Sequence, residues 1–328
     1  MAAEFMVQRI VTLSFRANDM SPAMCCVAEL ENLLVRTYDA ELIELPSRAK
    51  GNLSNAIIIC IALNFGQIMM ARRSLIDARE RGAKVILYVF DAWNVKEFFY
   101  NSRRSLKSKI FPSLRLTAIC DQLFVPFKEA KNDFRGPDKF LVNHLPLGVD
   151  TSIVDGMNSN RPISVLGYGR QPKDIDEALS RHFNAPSCDK IYYHTSHMRI
   201  SAINNFEEHR RFFWKIAQSS ELSIAYDQSF TQAQAYYSIV GQRWFECLAA
   251  GCIIIGRRPK TAEADEILNW DNSTLEIPEK TSEAIEFIQY LLSRRDLISD
   301  IRSRNVELVR QQHDWRHRIE KMLSSFDP

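Results

Sequence analysis

Short apolar, β-branched runs alternate with longer stretches whose apolar positions repeat at helical spacing, from one end of the chain to the other. In the first half the runs at 10–15, 41–45, 56–62, 84–90 and 122–125 predict strands. Helical patterns at 23–37 and 67–81 lie between them, the second closed by Gly82. In the second half the runs at 163–168, 190–193, 222–226, 252–255 and 273–277 predict strands, and 174–182, 205–219, 242–250 and 282–293 predict helices. The charged tail at 294–326 reads as helix, long enough to cross back over the first half. Regular strand–helix alternation predicts an α/β chain with parallel sheets covered on both faces. The seam falls at Leu145-Pro146-Leu147-Gly148-Val149-Asp150, a proline- and glycine-punctuated stretch. Two doubly wound domains, 1–150 and 151–328, are therefore expected to face each other across a cleft, with ligands at the carboxyl ends of the strands.

A length of 328 residues favours two domains over one, since a single core rarely serves more than about 250–300 residues. Forty-two basic side chains against 40 acidic ones give a net charge of +2, without the basic excess of a nucleic-acid binder. The seven cysteines are odd in number, none is spaced as CxxC, and several sit in apolar runs. Reduced buried thiols in a cytoplasmic protein explain them better than disulfides or zinc. The opening segment lacks a signal-peptide layout, and the longest apolar run, 56–65, is too short to span a bilayer. A soluble protein is expected.

The most informative segment runs from Val240 to Gly256: a helix capped by Gly251 that leads straight into a buried strand. Phe245, Leu248 and Ala249 share one face, while Arg243 and Glu246 fall on another, near the helix start. A carboxylate there can accept hydrogen bonds from ribose hydroxyls, and an arginine beside a helix N-terminus can meet phosphate oxygens. The same spacing also fits an Arg243–Glu246 pair on a solvated face, worth a few tenths of a kcal/mol.

This segment reads Arg243-x-Phe245-Glu246-x-Leu248-Ala249-x-Gly251-Cys252 and resembles the nucleotide-sugar motif of the glycosyltransferase group 1 superfamily with the GT-B fold. It is most similar to the spore-maturation-protein-like branch. The resemblance implies two Rossmann-like domains, a nucleoside-diphosphate-sugar donor held by the second, and Glu246 on the nucleotide ribose. The family's second glutamate, eight positions upstream, is replaced here by Ser238, which leaves sugar contacts and stereochemistry open. Leu145–Asp150 resembles the family's interdomain signature, and Val165-Leu166-Gly167-Tyr168-Gly169-Arg170 the strand and glycine turn that open its second domain. Arg170 and Lys173 then match the basic residues on the donor diphosphate, where fixed cations stabilise the leaving group's developing charge. A solvated loop is the alternative for both.

The first-domain strand ending Phe90-Asp91 resembles one that often ends in His-Asp. Asp91 could orient the acceptor hydroxyl or act as its base, or could simply cap the next helix. Asp19, in the loop after the first strand, is a second candidate of that kind and reads equally well as part of a helix start. His194 and His197 follow a second-domain strand where the base of the nucleotide is expected. With no acidic or cysteine partner close in sequence, their spacing does not suggest zinc. The cluster His313-Asp314-Trp315-Arg316 matches a packing element of the family's closing helix.

The stretch 96–115 mixes Lys96, Arg103, Arg104, Lys107, Lys109 and Arg115 with Phe98, Phe99, Tyr100 and Phe111. It suits an anionic membrane face or a diphosphate-linked lipid acceptor, or an ordinary solvated helix. No GxxxxGK[ST], early GxGxxG or GxSxG occurs, nor an obvious Asp-x-Asp of the kind metal-dependent sugar transferases use, so no cofactor is expected and the chemistry is expected to be metal-independent. The expected function is sugar transfer from a nucleoside-diphosphate sugar to a glycan or lipid-linked acceptor, at the inner face of a bacterial membrane. A GT-B-type epimerase, which would consume donor without acceptor, and a non-catalytic protein that kept the fold are the alternatives.

Overall fold

The computed structural model describes residues 9–19, 21–45, 53–93, 95, 115–134, 136–195, 204–230 and 237–326. The chain divides into two compact units, Met1–Pro146 with Ser201–Phe206 and Lys321–Pro328, and Leu147–Ile200 with Glu207–Glu320.

In the first unit β1 (Ile10–Ser14), α1 (Pro22–Tyr38), β2 (Glu41–Glu44), β3 (Ile57–Ala62), α2 (Phe65–Glu80) and β4 (Lys84–Val89) come first. Then follow α3 (Leu116–Ile119), β5 (Gln122–Val125), α4 (Lys128–Asp133) and β6 (Val142–His144). The strands form one parallel sheet in the order β2-β1-β3-β4-β5-β6. Every side chain of β3 is buried, which explains its unbroken apolar run: both faces of the sheet are covered. The order reverses between β1 and β3, so the loops after them, carrying Asp19 and Asn64, open the crevice where such sheets bind ligands. Asn64 starts α2 by accepting hydrogen bonds from the backbone N–H groups of Gly66 and Gln67. The α1 face on the sheet is apolar except for Glu31, which accepts from Ser14 Oγ at 2.9 Å and Arg16 Nε at 2.6 Å. Burial pushes the Glu31 carboxyl up to about 7, against the pull of Arg16.

The second unit contains β7 (Ile163–Gly167), α5 (Lys173–Phe183), β8 (Tyr192–His194), α6 (Phe206–Gln218), β9 (Ser220–Tyr226) and α7 (Gln242–Ala249). It continues with β10 (Ile253–Arg257), α8 (Ala262–Ile267), β11 (Leu275–Glu276), α9 (Thr281–Ser293), α10 (Arg295–His313) and α11 (Trp315–Leu323). Its parallel sheet runs β11-β10-β9-β7-β8, with the reversal between β7 and β9. Val165, Leu222, Ile224, Ile253 and Ile255 from the strands pack with Leu179 and Phe183 of α5 and Ile288 of α9. Each such side chain contributes roughly 1.5–3 kcal/mol on burial.

The end of α7 is fixed by backbone-to-backbone contact. Gly251 has φ +77°, and a Cβ there would lie 1.9 Å from the carbonyl oxygen of Gly156, so only glycine fits. The buried Arg161 guanidinium donates to the carbonyls of Asn158, Ser220, Gly156 and Ala250 at 2.6–2.9 Å, satisfying orphan groups at the helix end.

The tail and one strand differ from the sequence expectation. The tail at 294–326 is not one helix: Asp314 is extended, at φ −61° and ψ 138°, because its segment bonds to the Leu147–Asp150 region. Val149 N–H donates to His313 O at 3.0 Å and Trp315 N–H to Val149 O at 3.0 Å. Strand β6 escaped the hydrophobic pattern because its three residues, Val142, Asn143 and His144, include only one apolar side chain.

Candidate functional site

In the second unit the β7–β9 reversal places two loops together: Tyr168-Gly169-Arg170 after β7 and Asp227 after β9. The N-terminus of α7 carries Arg243 toward them. Gly169 turns with φ +76°, and its missing side chain leaves room for the Arg243 guanidinium: a Cβ there would be 2.4 Å from Nη2. Gly169 N–H donates to Thr195 Oγ at 2.8 Å, tying the turn to the end of β8.

Arg243 is poorly satisfied by the protein. Among the described residues its Nη1 reaches only the carbonyls of Ile224 at 3.4 Å and Arg170 at 3.5 Å, and Nε has no hydrogen-bond partner. Burial, the largest cause, pulls its pKa below the ordinary range, while Cys247 and Glu246 work the other way and Arg170 adds to the fall. A half-buried guanidinium with spare donors, at the strand ends and one residue inside a helix N-terminus, is a site for an anion. Gly241, the N-cap of α7, gives no side-chain cap, and a Cβ on it would meet nothing within 4 Å. Trp244 N–H donates to Gly241 O at 3.1 Å, so the first turn is closed by backbone alone.

Glu246 lies one turn further along α7, and it does not sit on a solvated face. It is 4% exposed, and its Oε1 is 2.6 Å from Nη2 of Arg210 on α6. Gln242 fixes the helix start by donating to Gly148 O at 2.8 Å, with Glu246 Oε1 at 3.5 Å from the same nitrogen. The expected diphosphate residues separate. Gly169, Arg170 and Arg243 converge, whereas Lys173, the first residue of α5, is largely exposed and pairs with Glu177 at 3.6 Å. His194 is held beside the sheet: Nδ1 is 3.4 Å from Asp176 Oδ1, and the ring stacks on Tyr192 at 4.8 Å. His197 lies outside the described residues.

Two residues of this region carry no sequence signal. Asp227, 5% exposed at the end of β9, accepts from Ser229 Oγ at 3.0 Å and from Ser238 Oγ. Ser238, which stands where the resemblance implies a second, upstream glutamate, is thus bonded to a carboxylate supplied by another part of the chain. Arg210 belongs to a helix face that reads as ordinary charged surface, and its partner is 36 positions away.

In the first unit Asp19 Oδ1 accepts from Ser21 N–H at 2.9 Å and Oδ2 from Gln67 Nε2 at 3.0 Å, joining the β1 loop to the start of α2. Asp91 follows β4, its backbone N–H donating to Leu63 O at 2.9 Å. Of the basic–aromatic stretch 96–115, all but Arg115 lies outside the described residues. His313 is a packing residue. Its Nε2 is 2.8 Å from Ile267 O, its ring lies edge-on to Phe245, and burial lowers its pKa to about 4. All seven cysteines are free thiols. Among the described residues no helix is long and apolar enough to cross a membrane, and no group of three or more His, Cys, Asp or Glu could hold a metal ion.

Residues 190–324, which hold most of the second unit from β8 onward, match the family model described as glycosyl transferase-like. No curated protein matches the chain by sequence. Among solved structures, Anabaena HepE in complex with UDP-glucose aligns with a TM-score of 0.58 at 11% identity, over 97% of this chain and 98% of that one. An alpha-glucosyltransferase in complex with UDP-glucose and abasic DNA aligns with a TM-score of 0.55 at 13% identity, over 97% and 98%. WaaG, a glycosyltransferase involved in lipopolysaccharide biosynthesis, aligns with a TM-score of 0.53 at 12% identity, over 97% and 99%. With two parallel-sheet α/β units and these likenesses, the chain has the fold of the GT-B glycosyltransferases.

Proposed function

We propose that the protein is a nucleotide-sugar-dependent glycosyltransferase whose second unit holds the donor. The observation that carries the reading is the under-satisfied Arg243 guanidinium seated against Gly169 at the β7–β9 reversal. It is the kind of cation a pyrophosphate completes. The glycosyl transferase-like match over 190–324 supports it, as does the similarity in fold to proteins solved with UDP and UDP-glucose.

In this reading Arg243 and the Gly169–Arg170 turn meet the diphosphate, Glu246 accepts from the ribose hydroxyls, and His194 lies toward the base. As the sugar leaves, negative charge grows on the nucleoside diphosphate, and the cations hold it without needing to reorganise. The acceptor hydroxyl, from a glycan or lipid-linked saccharide, is assigned to the first unit, where Asp91 or Asp19 orients it or takes its proton. We place the transfer among metal-independent hexosyl transfers of bacterial surface-glycan synthesis, at the cytoplasmic face of the membrane, with 96–115 as the contact. The Arg243–Cys252 signature favours the spore-maturation-protein-like branch.

Calorimetric titration with nucleoside diphosphates tests the donor site. Binding is expected for at least one of them, and Glu246→Ala should weaken it by about tenfold or more, near 1.4 kcal/mol. Incubation with the matching nucleotide sugar should then release nucleoside diphosphate only when an acceptor is present. An epimeric sugar formed from the donor without acceptor would replace transfer by epimerisation, and no binding of any nucleoside diphosphate would sink the reading.

A further inference from the structure

We infer that Arg210 is a positioning residue for the nucleotide ribose: it keeps Glu246 charged and aimed, and so makes the site select ribonucleotides over ligands without the vicinal diol. The inference rests on the reading of Glu246 as the ribose carboxylate. A carboxylate that is 4% exposed stays ionised only if a cation compensates its lost hydration. Arg210, itself 7% exposed, supplies that cation at 2.6 Å from Oε1.

The arginine is fixed in turn. Its guanidinium carbon lies 4.8 Å from the Phe213 ring centroid and 4.9 Å from that of Trp214, so one face of the cation is backed by aromatic rings of its own helix. The neighbouring residue His209 is 3.1 Å from the Tyr168 hydroxyl, which ties the same turn of α6 to the residue before Gly169. Helix α6 therefore reaches both the glycine turn and the Glu246 side chain. An ionised carboxylate is acceptor-only, and the two hydroxyls of a ribose are the donors that complement it; a protonated Glu246 would offer one donor and a weaker acceptor. The Arg210 contact favours the ionised form without needing to touch the ligand, and Arg243 on the same helix as Glu246 adds its positive charge.

The test compares UDP, its 2′,3′-dideoxy counterpart and inorganic pyrophosphate on the full-length chain by calorimetry. The native protein should prefer UDP to the dideoxy form by about tenfold or more, since a site that hydrogen-bonds hydroxyls rejects ligands lacking them. In Arg210→Met the preference should fall to within about twofold while pyrophosphate affinity stays within about twofold of native. Arg210→Lys, which keeps the charge without the planar fork, should fall between. A native preference retained in Arg210→Met, or a loss of pyrophosphate affinity equal to that of UDP, overturns the positioning role. If Arg210→Met fails to fold, the uncharged pair Arg210→Met with Glu246→Gln takes its place. Its preference should equal that of Glu246→Gln alone, and a preference nearer the native value overturns the inference. If the native protein binds UDP without distinguishing the dideoxy form, the assignment of Glu246 itself falls. If it binds neither UDP nor any other nucleoside diphosphate, the proposed function falls first.

Discussion

The side chain of Arg243 fills the space that a side chain on Gly169 would need, with Nη2 only 2.4 Å from where a Cβ would stand. The two residues are far apart in sequence, yet each sets the other's conformation. Gly169→Ala should therefore push the guanidinium out of the strand-end crevice and also strain a backbone at φ +76°. The strain should cost stability only about 1–2 kcal/mol. Nucleoside-diphosphate affinity should fall by about tenfold or more. Thermal unfolding and calorimetry on one preparation separate the two effects; unchanged affinity would mean that Arg243 does not face the ligand.

Arg161 offers a purely structural counterpart. It is a buried cation whose donors are spent on four carbonyls, including Ala250 at the end of α7 and Gly156 beneath Gly251. Arg161→Met would leave several buried oxygens without a donor, at about 1–3 kcal/mol each where water cannot reach. A loss of at least about 3 kcal/mol in urea unfolding is expected. A loss below about 1 kcal/mol would show that those carbonyls find other partners.

The buried His313 makes the fold sensitive to acid. Its pKa is lowered to about 4 from the ordinary 6.5, first by burial and then by Arg318, which lies 2.9 Å from Nδ1. Between those values the unfolded chain binds a proton that the folded chain refuses. Its contribution is therefore complete above pH 6.5 and is lost progressively as the pH falls toward 4. The loss over that span is about 3 kcal/mol. His313→Gln should be less stable at pH 7.5 and should show a shallower decline on acidification; equal slopes in urea melts at several pH values would contradict the assignment.

Much of this was legible in the sequence, where local chemistry sets the structure. Gly251 as the stop of α7 and the apolar run of β3 follow from positive φ and from burial on both faces, and each is visible in a few consecutive residues. The convergence of Gly169 with Arg243 was foreshadowed only through the order of motifs along the chain. What was not legible depends on partners distant in sequence. Glu246 is bound by Arg210, whose own neighbourhood reads as a charged helix surface, and Asp227 is joined to Ser238, 11 positions further on. The break at Asp314 arises because Val149 captures the backbone there, a tertiary bond that outweighs a continuous helical pattern. The position of Lys173 after the turn groups it with the cations, yet α5 begins at that residue and directs its ammonium to Glu177.

The assignment of the second unit as a donor site is tested most directly by the structure of the protein with UDP bound. The expected density places the pyrophosphate at the carboxyl ends of β7 and β9, with an oxygen within hydrogen-bonding distance of the Arg243 guanidinium and the ribose hydroxyls on Glu246. UDP bound elsewhere at full occupancy, with Arg243 still directed only at the carbonyls of Ile224 and Arg170, would contradict it.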